Sequence, residues 1–226
     1  MTPWVLLDTA TIPGNGTALQ LLQRGNDFSI KIVGGGELMN TCMHGSEDAL
    51  AELSCQHIAH KADARVLIGG LGMGFTLAAA RTHLADTAEI VVAELIPAVI
   101  EWNRGPLGEH AGLPILDPRV RVHEGDVAKA IVAGRQSFDA IMLDVDNGPE
   151  GLTRKKNNWL YSMDGLISAY EALRPLGVLA VWSAGPERSF TERLRKVGYQ
   201  VKEKKVRAHP NHKKARHVIW LAQRPD

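Results

Sequence analysis

The chain is 226 residues long, 45% hydrophobic and 23% charged, with a formal net charge of +1. A chain of this size can bury a sizeable core as one domain with an appendage, and so small a net charge gives no ground for nucleic acid or a membrane surface as partner. The two cysteines, Cys42 and Cys55, sit in no CxxC pair, so neither a zinc cluster nor a disulfide framework is suggested and a reducing compartment is the simpler expectation.

Met1 to Asp8 has no basic n-region and only a short apolar stretch, Trp4 to Leu7, so neither a signal peptide nor a membrane span is expected there. No later run is long enough to cross a bilayer, and a cytoplasmic location follows as an expectation. Pro13-Gly14-Asn15-Gly16 reads as a turn, and Leu19 to Gln23 and Phe28 to Val33 as short strands joined by a hairpin turn at Arg24-Gly25-Asn26-Asp27. Gly34-Gly35-Gly36 closes this section. Residues 46–60 are predicted helical, with Ser46 as N-cap and Glu47 and Asp48 in the first turn.

From residue 65 strands and helices alternate. Arg65 to Ile68 is a short apolar run ended by Gly69-Gly70-Leu71-Gly72-Met73-Gly74, and a helix rich in alanine is predicted from Phe75 to Leu84. A second strand runs from Glu89 to Ala93 and ends at Glu94, before a helix opening at Pro97. Val120 to His123 is a third strand, followed by Glu124-Gly125-Asp126 and a helix to Ala133. Phe138 to Leu143 is a fourth, ended by Asp144. A helix from Ser162 to Leu173, a fifth strand from Gly177 to Trp182, a helix from Glu187 to Val197 and a closing strand pair, Tyr199 to Arg207 and His217 to Ala222, complete the pattern. Such alternation implies βαβ units and a mainly parallel, doubly wound sheet, which binds ligands at the carboxyl ends of its strands.

The chemistry-bearing residues fall at those ends. Gly70, Gly72 and Gly74 follow a strand and open a helix, where bare backbone can approach a ligand and a helix N-terminus favours an anion. Their spacing is GxGxG rather than the GxGxxG of dinucleotide sites, and a tight turn without a ligand is the competing reading. Glu94, 20 residues after Gly74, is placed to accept both hydroxyls of a ribose. Asp126 is either an acceptor for an adenine amino group or the N-cap of the next helix, and the two roles are compatible. Asp144 should point into the crevice, where a carboxylate can hold an amine or act as a general base; a structural carboxylate bonded to loop amides is the alternative.

Taken together, Val66-Leu67-Ile68-Gly69-Gly70-Leu71-Gly72-Met73-Gly74, Val92-Ala93-Glu94, Glu124-Gly125-Asp126-Val127, Asp139-Ala140-Ile141-Met142-Leu143-Asp144, Leu160-Tyr161 and Leu173-Arg174-Pro175-Leu176-Gly177-Val178-Leu179 resemble Rossmann-like S-adenosylmethionine-dependent methyltransferases. More closely, nearly the whole chain is similar to the spermidine synthase family. The resemblance implies that Glu94 holds the ribose and Asp126 the adenine. Gly70, Gly72, Met73, Gly74 and Val127 would complete the cofactor site, and Asp144 would face the acceptor as the catalytic group. It also places the helix of Glu47 and Glu52 on the substrate side. Polyamine-forming members usually carry Asp where this chain has Met73, and Asp-Ser-x-Asp where it has Asp144-Val145-Asp146-Asn147. Their Tyr-His-Glu helix motif is replaced here by Leu50-Ala51-Glu52. A buried diammonium needs carboxylate partners, so the cofactor site reads as retained and the diamine site as eroded.

Glu52, Asp146, Asn147, Trp159 and Tyr161 are the expected acceptor-side residues, with Trp182 a further aromatic candidate. Arg154-Lys155-Lys156-Asn157-Asn158-Trp159 is read as a loop over the crevice. The basic, histidine-rich stretch 202–217, which includes His209, His212 and His217, reads as a solvated hairpin with no metal-ligand spacing. The expectation is therefore a seven-stranded Rossmann-like methyltransferase sheet with a small N-terminal β extension, divided as 1–45 and 46–226. Its expected activity is transfer of a methyl group from S-adenosylmethionine to a small-molecule nucleophile. Aminopropyl transfer from decarboxylated S-adenosylmethionine to a diamine, in polyamine biosynthesis, is the runner-up, and a non-catalytic adenosyl-ligand-binding protein is the alternative of another class. No metal, nucleic acid or membrane partner is expected, and the resemblance implies a homodimer.

Overall fold

The computed structural model describes residues 2–14, 16–145, 159–208 and 217–226. The chain opens with an antiparallel meander of four strands in sequential order, β1 (Val5–Thr11), β2 (Ala18–Arg24), β3 (Asp27–Ile32) and β4 (Glu37–Asn40). The β2–β3 hairpin falls where the alternating apolar pattern and the Gly25 turn predict it. β1 and β4 add one strand on each side that the pattern did not reveal. β1 is an edge strand with Val5, Leu6 and Leu7 exposed, so no inward stripe marks it, and β4 has only four residues.

Helix α1 (Gly45–Ile58) leads into the main sheet. Ser46 does not cap it. The helix starts one residue earlier with His44 at the cap position and no side-chain cap bond. Gly45 N–H donates to the Ala208 carbonyl at 2.8 Å, which draws the first turn against the far end of the chain and buries Ser46 inside it. There follow β5 (Arg65–Gly69), α2 (Phe75–His83), β6 (Glu89–Glu94), α3 (Pro97–Arg104), α4 (Pro106–His110), β7 (Val120–Glu124), α5 (Val127–Ala133), β8 (Phe138–Leu143), α6 (Met163–Ala172), β9 (Leu173–Ser183), α7 (Arg188–Val197), β10 (Gln200–Val206) and β11 (His217–Gln223). The spatial order β10-β11-β9-β8-β5-β6-β7 makes a seven-stranded sheet. It is parallel from β9 to β7, with β11 and β10 antiparallel at one edge. The sequence order reverses between β5 and β8, and that switch point is where such a sheet opens its crevice.

Two apolar layers sandwich the sheet, sorted by the period of two along each strand. Val66, Ile68, Ile90, Val92, Ala140, Met142, Val178 and Ala180 pack on the α1 and α2 side, in a core that continues without a break into Leu19, Leu21, Phe28 and Ile30 of the N-terminal sheet. Leu67, Ile141, Leu143, Leu179, Val181 and Trp220 face α5, α6 and α7. Trp102 Nε1 donates to Asp8 Oδ2 at 2.7 Å, which ties β1 to α3.

One polar group lies in the fully apolar run of β8. Asp139 is 0% exposed, yet it accepts from Lys61 Nζ at 2.7 Å, Arg65 N at 2.8 Å and Arg174 Nη1 at 2.7 Å. These bonds compensate the burial of its charge and hold the starts of β5, β8 and β9 together. They also explain why β9 begins earlier than its apolar run: Leu173 pairs with Phe138 and Val178 with Ala140, leaving a register shift opposite Asp139. Arg174 sits in that bulge and turns its guanidinium onto the carboxylate.

Candidate functional site

The carboxyl ends of β5, β6 and β8 meet in a cavity of about 380 Å³, roofed by β2, β3 and β4. The glycine loop forms its floor. Gly70 has φ +91°, and a Cβ there would stand 2.3 Å from the Asp144 carbonyl oxygen. Gly74 has φ +86°, and its Cβ would meet Asn103 Oδ1 at 2.7 Å. Both positions are glycine because the loop folds back against the protein itself; Gly72 lies under the Met39 sulfur of β4. Gly70, Gly72 and Met73 line the cavity, and Gly74 turns the chain into α2. Asn103, which no motif or pattern marks, is fully buried and donates from Nδ2 to the carbonyls of Gly72 and Val99, both at 2.9 Å.

Glu94 ends β6, buried against this loop. Its Oε2 accepts from Leu71 N–H and its Oε1 from Ile96 N–H, each at 2.9 Å. Burial raises its pKa, opposed by the backbone N–H groups of Leu71, Ile96, Gly72 and Leu95. These amides fix its position at the cavity wall, where ligand hydroxyls would meet it. Asp126 caps α5, accepting from Ala128 N–H at 2.9 Å, and also lines the cavity with Val127; the capping role therefore coexists with access to the cavity. Leu95, Ile96, Val99 and Val127 supply apolar surface beside the three acidic and loop positions, which suits a purine. The donor set and the volume, within the usual range of small-molecule sites, fit an adenosyl group.

The far end of the cavity is carboxylic. Asp144 is held by Thr76, whose hydroxyl donates to Oδ2 at 2.6 Å. Burial pushes its carboxyl up to about 6, with the Thr76 bond opposing. Glu47 of α1 lines the same space, and its carboxyl is pushed up to about 7, first by burial and then by the charge of Asp144. Ser46 donates to Glu47 Oε2 at 2.6 Å and bonds His217 Nδ1 at 2.9 Å. The His217 ring lies 4.8 Å from that of Trp182, and both line the cavity. His217 thus leaves the solvated hairpin expected for the basic stretch and joins the site.

The acceptor-side expectations need three corrections. Glu52 is exposed and bonded by Gln56. Five residues beyond Glu47 is roughly 140° round a helix, so one face cannot present both, and Glu47 is the one turned inward. Tyr161 is buried under the end of β8, edge-on to Phe190, with its hydroxyl donating to the Val145 carbonyl at 3.1 Å. Trp159 packs beside it against the second apolar layer. Neither ring lines the cavity, whereas Trp182 does. Asp146, Asn147, Arg154 to Asn158, His209 and His212 lie outside the described residues. Among the described residues no group of three or more His, Cys, Asp or Glu is placed to hold a metal ion, and no helix is long and apolar enough to cross a membrane.

No protein-family model matches the chain, and no curated protein matches it. Solved structures do. Spermidine synthase from Thermotoga maritima superposes with a TM-score of 0.74 at 17% identity, over 96% of this chain and 72% of that one. A spermidine synthase in complex with the transition-state analogue AdoDATO gives 0.70 at 17% identity over the same shares, 96% and 72%. Human methyltransferase-like protein 13, in complex with SAH, gives 0.57 at 18% identity over 80% of each chain. At such identities the likeness establishes the fold alone, a Rossmann-like sheet with an N-terminal β extension arranged as in the spermidine synthases.

Proposed function

We propose that this protein transfers a methyl group from S-adenosylmethionine to a small-molecule nucleophile. The observation that carries the choice of methyl transfer is Met73, a buried apolar side chain lining the cavity at the glycine loop. A carboxylate at that position would favour a cofactor whose only terminal charge is an ammonium, and would repel the carboxylate of intact S-adenosylmethionine. Met73 removes that repulsion. Bound S-adenosylmethionine supplies a sulfonium, an already activated leaving group, so the protein's part is mostly positioning. Glu94 and Asp126 hold the adenosyl end, the loop amides and the start of α2 receive the amino-acid end, and Asp144 orients the acceptor. The acceptor's lone pair forms the new bond to the methyl carbon while the carbon–sulfur pair stays on sulfur, and the acceptor's proton passes to Asp144.

Calorimetric binding of S-adenosylmethionine, decarboxylated S-adenosylmethionine and 5′-methylthioadenosine, followed by product identification, tests this. Preference for the intact cofactor, with S-adenosylhomocysteine as product, is expected. Formation of 5′-methylthioadenosine from putrescine would replace the reading with aminopropyl transfer. That second reading draws on the superposition with spermidine synthases and on the two cavity carboxyls, which are the kind of group a diamine requires. Tight cofactor binding with no turnover across a broad acceptor panel would instead support a non-catalytic binding protein.

A further inference from the structure

Nearly all backbone N–H groups of the glycine loop are committed within the protein. Gly70 N–H donates to the Ala93 carbonyl, Leu71 N–H to Glu94 Oε2 and Gly74 N–H to the Leu71 carbonyl, while Gly72 N–H faces the Glu94 carboxylate. Met73 N–H is left with no acceptor among the described residues. Its direction is set from outside the loop. The carbonyl of the same peptide, that of Gly72, accepts from Asn103 Nδ2 at 2.9 Å, and the Val99 carbonyl accepts from that nitrogen at 2.9 Å. Two carbonyl partners fix which end of the side-chain amide faces them. The Gly72–Met73 peptide is trans, so its C=O and N–H lie on opposite sides of one plane, and a carbonyl drawn to α3 turns Met73 N–H away from α3. Gly72 and Met73 line the cavity and Asn103 does not, which puts the free N–H on the cavity side. Asn103 comes this close because Gly74 has no Cβ, which would stand 2.7 Å from Oδ1. Oδ1 itself is buried without a partner, so the polar contacts of this side chain run through Nδ2 alone. No described Lys or Arg lines the cavity, and an anionic group bound there depends on N–H donors and on the start of α2.

We propose that Asn103 is a positioning residue for cofactor choice: by holding the Gly72 carbonyl it presents Met73 N–H to the amino-acid carboxylate of S-adenosylmethionine. This rests on the transferase reading above and assigns a further residue to that same site. Asn103 acts through the peptide rather than by contact with the ligand. Without Nδ2 the Gly72–Met73 peptide is free to rotate, and a peptide so turned offers the ligand a carbonyl oxygen, which repels a carboxylate. The adenosine end is untouched, because Glu94 and Asp126 are held by the backbone N–H groups of Leu71, Ile96 and Ala128 and not by Asn103.

The test is calorimetry on the full chain and on Asn103→Leu, which keeps the side-chain shape and removes the donor. The probes are S-adenosylmethionine, its decarboxylated form, which differs by the carboxylate alone, and 5′-methylthioadenosine, which lacks the amino-acid tail. The parent should bind the intact cofactor about tenfold or more tighter than the decarboxylated form. Asn103→Leu should lose about tenfold for the intact cofactor and stay within a factor of about two for the other two probes. The proposal is overturned if the variant keeps its affinity for S-adenosylmethionine, or if it loses all three probes alike, which is the mark of a merely structural tie. If the variant does not fold, amide spectra of the ¹⁵N-labelled parent decide: the Met73 resonance should shift strongly with S-adenosylmethionine and little with 5′-methylthioadenosine, and equal shifts or none would overturn the assignment. A parent that binds all three probes without distinguishing the carboxylate sinks this inference and leaves the transferase reading standing; a parent that binds none of them sinks both.

Discussion

Glu94 and Asp144 stand at the ends of β6 and β8, on either side of β5, the first buried and the second half-buried, and their partners assign them different work. Glu94 is spanned by two backbone N–H groups, so its loss has a structural and a binding component. Glu94→Ala should leave Leu71 and Ile96 N–H unpaired, at about 1–3 kcal/mol each, and lower the melting temperature. Affinity for S-adenosylhomocysteine should fall at least about tenfold; unchanged affinity in calorimetry would remove Glu94 from the ligand site. Asp144 is bonded by the single hydroxyl of Thr76, which Asn can still engage. Asp144→Asn should therefore keep cofactor affinity within a factor of about two and lose roughly 10²- to 10⁴-fold in turnover, the range for a removed general base. Equal loss of both would make its role structural.

At the scale of elements, the glycine loop and the β8–β9 junction are set by close backbone approach and by a buried charge. Gly70→Ala would drive a methyl group to 2.3 Å from a backbone oxygen at a φ of +91°, and should either fail to fold or melt far lower. Gly185→Ala, where nothing lies within 4 Å of the added carbon, should be close to neutral, and thermal melts of the two compare loop with control. Asp139→Ala should strand Lys61 and Arg174 and leave Arg65 N–H without its acceptor. Lys61 and Arg174 can turn to solvent, so the cost is set mainly by the unpaired Arg65 N–H, about 1–3 kcal/mol, readable as a drop in urea midpoint; a midpoint like that of the parent would mean that the network carries little.

At the scale of the whole molecule, Glu47 comes from the first helix, Asp144 from the fourth parallel strand and His217 from the last strand, and the fold brings them to one end of one cavity. That convergence has a pH signature. The folded values of Asp144 and Glu47, about 6 and about 7, lie above those of the unfolded chain, so the native state holds protons the unfolded state has released. Stability from these groups is fully present below about pH 4 and lost as pH rises through about 7. Melting temperature should fall across that window in the parent and fall less in Glu47→Gln. Turnover should rise through about pH 6, where Asp144 loses its proton; a flat profile would exclude it as the base.

Much of this architecture was legible in the chain alone, because its signals are local. Phe138 to Leu143 is a buried strand on composition, the alternation of strand and helix dictates a parallel sheet, and the carboxyl ends of strands are where glycines and acids gather. Gly70, Gly72, Glu94, Asp126 and Asp144 therefore stood out, Met73 and Val127 came only from the family resemblance, and all seven meet around one cavity. The rest depended on contacts distant in sequence. Helix α4, the edge strand β1 and the short β4 carry no periodic stripe. Ser46 resembled an N-cap until the Ala208 carbonyl drew the helix start forward. Choosing Glu47 over Glu52 required knowing which face of α1 meets β9 and β11, and Tyr161, Trp159 and Trp182 differ only in what the sheet places opposite them. Residue type and local order determined the fold and the acids at the strand ends; tertiary packing alone decided which side chains share an enclosed, poorly solvated space, because burial and like-charge proximity are properties of neighbours that the chain brings from far away.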